Sequence, residues 1–185
     1  MNIKIIAFLG LALTTFAAGS NTANETTQNT SAKTTQANEE KTANVETAGG
    51  VVTSLPAFKI TDVNGNIIDI ASLKGKKVFV NLWATWCPPC RAEIPSIEKL
   101  QSKVDKQKIA FVMLSLDKNF ELAKKFAKKN KMQLPVYYPA EGLPEMFKID
   151  GIPATFIFNE KGELIKTNNG MDDYDTELYV QMLKS

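Results

Sequence analysis

The sequence predicts an α/β fold: a mixed central sheet flanked by helices, with an added hairpin at its N-terminal side. Three observations carry this expectation. Two short, β-branched, mostly apolar runs, 77–83 (KVFVNLW) and 109–116 (IAFVMLSL), have the composition of strands buried on both faces. Stretches with helical patterning alternate with them, as α/β layering requires. Two hairpin patterns, one near each end of this region, add antiparallel pairs and make the sheet mixed.

Taken in order, residues 51–70 read as a hairpin, with strands at 57–62 and 66–70 around the turn dipeptide Asn64-Gly65. Residues 77–83 form the first buried strand, and a helix follows over 89–104. Pro89 suits the first turn of that helix, because a proline lacks the N–H that would go unpaired there. The second buried strand covers 109–116, and 119–130 is an amphipathic helix with Phe120, Ala123, Phe126 and Ala127 on one face. A short strand at 135–138 and a short helix at 143–147 come next. Strands 155–159 and 164–169, joined through Gly162, form the second hairpin, and 173–183 is a closing helix.

The chain of 185 residues suits one domain with extras. It carries 22 Lys+Arg against 20 Asp+Glu, a net charge of +2, which gives no basic patch for nucleic acid. The lysines at 124, 125, 128, 129 and 131 read as a solvated helix face. The absence of histidine removes His-based metal sites, Ser–His and Cys–His catalysis, and the usual near-neutral proton shuttle. Lys4, the apolar run 5–16 and the small residues Ala17 to Ser20 make the pattern of a secretory signal peptide over 1–19. The run is short for a membrane span, which needs about 20 residues; an uncleaved N-terminal anchor is the alternative. Residues 20–50 hold almost no apolar side chains and read as a disordered polar linker. Residues 51–185 remain as one folded domain.

The chemistry concentrates in Trp83-Ala84-Thr85-Trp86-Cys87-Pro88-Pro89-Cys90-Arg91-Ala92-Glu93. Two cysteines two residues apart, between a buried strand and a helix, match a dithiol redox site. Cys87 falls at the helix N-terminus, where free N–H groups and the helix dipole favour the thiolate that attacks a disulfide. Cys90, one turn on, is placed to resolve the mixed disulfide. A zinc site wants about four N or S ligands, and with 2 cysteines and no histidine the chain has no second half for one. A purely structural disulfide closing so small a loop removes little unfolded-state entropy.

These residues resemble the thioredoxin superfamily, and within it the exported TlpA/ResA-like branch that includes the cytochrome c maturation thioredoxins. The likeness covers the chain from about Leu55 on: the WCxxC core with Trp83 and Trp86, Pro95 five residues after Cys90, and Gly151-Ile152-Pro153-Ala154-Thr155-Phe156. It implies a thioredoxin fold over 51–185. On its own Pro153 reads as an ordinary trans turn proline; the resemblance makes it the cis-proline of the family, directing the Ile152 backbone to pair with an extended substrate chain. It also implies that Trp86 and Pro88 shape the substrate surface, while Trp83 packs in the core. Where thioredoxin has a buried aspartate, six residues before the first cysteine, this chain has Asn81, which cannot titrate. In the TlpA/ResA-like branch a glutamate three residues after the second cysteine is linked to that proton role, and here it is Glu93. Residues alone would leave Glu93 a solvated helix residue. The i, i+3 spacing puts it on the face of Cys90, where burial would raise its pKa.

The expected activity is thiol–disulfide exchange, with the Cys87–Cys90 disulfide as the redox group and no other cofactor or metal. The two prolines and the missing histidine point to a reductant of protein disulfides, and the resemblance points the same way. It implies apocytochrome c among the protein clients and a membrane thiol reductase of the DsbD/CcdA kind as electron donor, in the periplasm or on the outer side of the cytoplasmic membrane. Alternatives are a disulfide-introducing oxidase, a thioredoxin-fold peroxidase and a non-enzymatic binding module such as a copper carrier. The peroxidase signature wants a threonine and a proline where this chain has Ala84 and Val80. Copper carriers on this fold use a wider cysteine spacing plus a histidine.

Overall fold

The computed structural model describes residues 53–185, so the leader expected over 1–19 and the linker expected over 20–50 lie outside the described residues. In chain order the strands are β1 (Lys59–Asp62), β2 (Ile67–Asp69), β3 (Lys77–Trp83), β4 (Ile109–Ser115), β5 (Val136–Pro139), β6 (Ala154–Phe158) and β7 (Leu164–Asn169). The helices are α1 (Pro88–Lys103), α2 (Phe120–Lys129) and α3 (Glu177–Lys184).

One mixed sheet of seven strands forms in the order β2-β1-β5-β4-β3-β6-β7. β3 runs parallel to β4, and β4 to β5. β6 adds antiparallel to β3, and β7 antiparallel to β6. The β1–β2 hairpin joins at the other end, β1 lying antiparallel to β5. β3 is buried at every position, which explains its mostly apolar sequence.

Side-chain alternation along the strands divides the core in two. Phe79, Trp83, Phe111 and Met113 face the side where Ile94 and Ile97 of α1, Ala123 of α2 and Val180 of α3 pack. Val78, Val80, Leu82, Val112 and Leu114 face the other side, which Phe58, Ile70 and Phe147 cover. At the middle of the helix-side face two buried polar residues, Asn81 and Thr155, are direct cross-strand partners in β3 and β6. A polar pair at the centre of a sheet needs a reason, and α1 above it supplies one.

Most element boundaries move by one or two residues from the sequence expectation, and three of the differences have a local cause or change the element. Asp69 ends β2, because its carboxylate accepts the Ala71 N–H at 2.9 Å and caps a 3-10 turn over Ile70–Leu73. The short helix expected at 143–147 is a single 3-10 turn, Glu145–Phe147. α3 begins at Glu177 rather than at 173. Asp173 turns its carboxylate onto the Asp175 N–H at 3.0 Å, and the Tyr174 N–H donates to Ser96 Oγ at 3.1 Å, so the backbone there is committed to other partners. Tyr174 instead enters the core edge-on to Phe79, with ring centroids 5.2 Å apart.

Candidate active site

From the end of β3 the chain turns through Ala84, Thr85 and Trp86 into α1, and Cys87 caps the helix. Pro88 and Pro89 fill the first two helical positions and have no N–H to offer. The Arg91 N–H makes the first ordinary helical bond, to Cys87 O at 3.2 Å. The Cys90 N–H is therefore the one free amide of that turn, and it donates to Cys87 Sγ at 3.2 Å. The two cysteines are joined as a disulfide. Cys90 is fully buried and Cys87 is 3% exposed, while Trp86 beside them is 63% exposed. Pro88 is also exposed.

Across from the sulfurs lies the loop before β6. Its Ile152–Pro153 peptide is cis. Ile152 O stands 3.7 Å from Cys87 Sγ; in the disulfide this is a contact, and in the dithiol the Cys87 S–H can donate along it. An open groove of about 660 Å³ runs from there, lined by Trp86, Leu116, Leu143, Phe147, Ile149 and Ile152 among others. Pro153 is buried and its carbonyl accepts the Gly170 N–H at 2.8 Å, so the loop is fastened to the end of β7.

Beneath the dithiol, Glu93 on α1 is 2% exposed. Its Oε1 accepts from Asn81 Nδ2 at 2.7 Å and its Oε2 from the Asp172 N–H at 3.3 Å. Burial pushes its carboxyl up from 4.5 to about 7, against the pull of these two hydrogen bonds; the Asp172 carboxylate adds to the rise. Asn81 Nδ2 also donates to Thr155 Oγ1 at 3.0 Å, and the Tyr174 hydroxyl donates to the same oxygen at 2.7 Å. Burial raises the Tyr174 phenol to about 12, so it stays a donor.

The model of the Redoxin family matches residues 51–183. The chain belongs to the Redoxin family. Among its relatives is the thiol-disulfide oxidoreductase ResA of Halalkalibacterium halodurans, 29% identical over 130 residues, which are 69% of this chain and 73% of that one. Sporulation thiol-disulfide oxidoreductase A of Bacillus subtilis is 32% identical over 122 residues, 63% of this chain and 73% of that one. A solved thiol:disulfide interchange protein of the thioredoxin family from Chlorobium tepidum superposes with a TM-score of 0.61 at 30% identity, covering 75% of this chain and 100% of that one. This redoxin is a TlpA/ResA-like member of the thioredoxin superfamily and a thiol–disulfide oxidoreductase with a Cys87–Cys90 pair.

The structure brings Cys87, Trp86, Pro88 and Ile152 of the redoxin to one surface, with Cys90, Pro153 and Glu93 buried behind it. Among the described residues no group of three or more His, Cys, Asp or Glu side chains is placed to hold a metal ion. Sequence reasoning missed Asp117, which follows β4 and is 3% exposed. One of its oxygens accepts from Thr85 Oγ1 at 2.6 Å, the other from Ser115 Oγ at 2.8 Å, and both lie 3.2 Å from the Thr85 N–H. Thr85 is two residues before Cys87, so Asp117 anchors the active-site loop to the neighbouring strand. An aspartate directly after a buried apolar strand was the available signal. Thr155 and Tyr174 were also unread as site residues, since only the fold sets them under Glu93.

Proposed function

We propose that this protein is an exported reductant of protein disulfides, with Cys87 as the attacking thiol. The carrying observation is the sparse support for a Cys87 thiolate: one amide donor at 3.2 Å, two prolines in the helix's first turn, and no histidine anywhere in the chain. A stabilised thiolate makes a couple more oxidising, by about 30 mV for every ~1.4 kcal/mol. Little stabilisation leaves the couple reducing. The leader pattern over 1–19 supports export, to the periplasm or the outer side of the cytoplasmic membrane.

In the reaction the Cys87 thiolate attacks a client disulfide. A Cys87–client bond forms, the client's S–S bond breaks, and the client's other sulfur leaves as a thiolate. The client segment lies along Ile152 and the Pro153 loop, with Trp86 and Pro88 on the opposite bank. Cys90 then gives its proton to the Glu93 carboxylate and attacks Cys87 Sγ. The Cys87–Cys90 bond forms, the mixed disulfide breaks, and the client's second thiolate leaves. The client has gained two electrons and the protein has lost them. A membrane thiol reductase of the DsbD/CcdA kind restores the dithiol, and apocytochrome c thiols are among the clients; the TlpA/ResA-like relationship supports both.

The test is the reduction potential of the Cys87/Cys90 couple, titrated in thiol buffers and read by tryptophan fluorescence. A value near or below that of thioredoxin, about −270 mV, is expected. A value near that of DsbA, about −120 mV, overturns the reading in favour of a disulfide-introducing oxidase.

A further inference from the structure

Asn81 is fully buried at the centre of the sheet, and its carboxamide is used at one end only. Both Nδ2 hydrogens are spent, on Glu93 Oε1 at 2.7 Å and on Thr155 Oγ1 at 3.0 Å. Its Oδ1 is buried without a hydrogen-bond partner. Thr155 Oγ1 meanwhile takes two donors, Asn81 and the Tyr174 hydroxyl. This arrangement suits an ionised Glu93, which can only accept. It does not suit a protonated Glu93 whose hydroxyl lies on the Asn81 side, because a donor would then face a donor.

Turning the carboxamide over reverses each of these relations. Oδ1 would then accept the Glu93 hydroxyl and the Thr155 hydroxyl, while Tyr174 still donates to Thr155. The two ends of a carboxamide are nearly equal in size, so the turn keeps the side chain's shape; it moves the NH2 to the end where Oδ1 now lacks a partner, and pairing the Glu93 proton must outweigh that loss. We propose that Asn81 is a positioning residue whose carboxamide turns over with the charge on Glu93, presenting nitrogen to the ionised carboxylate and oxygen to the protonated one. The proposal rests on the reading of Glu93 as the proton holder and supplies what holds that proton in place. Thr155 and Tyr174 form the far end of the same chain. The titratable groups facing Glu93 are Asp172, whose carboxylate accepts the Tyr179 hydroxyl at 2.5 Å, with Tyr174 and Tyr179.

The test uses the full chain in its disulfide form, where no thiol exchange intervenes. Nuclear magnetic resonance follows the Glu93 Cδ signal and the Asn81 side-chain amide through a pH titration. At high pH the Asn81 amide hydrogens should show proximity to the Glu93 and Thr155 side chains. Those contacts should vanish at low pH, with the same midpoint as Glu93 Cδ, about 7. Glu93→Gln should abolish the Asn81 transition. Asn81→Ala should raise the Glu93 midpoint by about one unit, a roughly tenfold tighter hold on the proton; if that variant fails to fold, the wild-type titration carries the test alone. A Glu93 Cδ that titrates while the Asn81 amide keeps its neighbours overturns this inference and leaves the proposed proton role standing. A Glu93→Gln protein with an unchanged pH profile of exchange overturns the proton role, whatever Asn81 does. A Glu93 that does not titrate in the folded chain overturns both.

Discussion

Two carboxylates are buried beside the dithiol loop, Glu93 at 2% exposure and Asp117 at 3%, and they are held differently. Asp117 takes two hydroxyls and a backbone N–H, all from the strand it follows and the loop before Cys87. Glu93 takes one amide and one long backbone contact, and its burial exceeds what they offset, so its carboxyl rises to about 7. Equal burial therefore does not mean equal purpose. A carboxylate surrounded by donors fixes geometry, and one with too few donors has a charge that can change.

Removing Asp117 should have the largest effect on the fold. Asp117→Ala leaves the Thr85 N–H and hydroxyl and the Ser115 hydroxyl without their partner, and is expected to cost about 2–4 kcal/mol in urea or guanidinium unfolding. A cost under about 0.5 kcal/mol would erase the distinction between the two carboxylates.

Glu93→Gln should act through pH instead. The folded carboxyl titrates near 7 and the unfolded one near 4.5, so between those values the native state keeps a proton that the unfolded chain has released. The stability this contributes is full below pH 4.5 and is lost as pH rises through about 7. By linkage the loss amounts to about 3 kcal/mol. Glu93→Gln should match the wild type at low pH and exceed it above neutrality, by up to that amount. Parallel stability curves for the two proteins would show that Glu93 carries no such proton. The smallest effect on the fold belongs to the surface: Trp86→Ala should leave stability within about 0.5 kcal/mol. It should raise KM for a peptide disulfide from apocytochrome c about tenfold while sparing a small-molecule disulfide. Equal losses on both substrates would remove Trp86 from client contact.

The sequence made the two cysteines and Glu93 readable and left the surroundings of Glu93 obscure. Cys87, Cys90 and Glu93 sit within one helical turn or two, so spacing alone places them relative to each other. Ile152 and Pro153 became legible through their resemblance to a known loop. Asn81 read only as the loss of a titratable group, because its partners, Glu93 and Thr155, come from α1 and β6. Asp117 and Tyr174 escaped for the same reason. Each draws its meaning from strands or loops distant in the chain, and in Tyr174 an apolar spacing that mimics a helix belongs to a core side chain before the helix starts.

The burial of the two sulfurs has a last consequence. Cys90 is sealed and Cys87 shows a 3% sliver beside Trp86. Any protein that delivers electrons and any protein that takes them must therefore use the same doorway, one at a time. The opening is a single berth: two thiol or disulfide partners of Cys87 exclude each other.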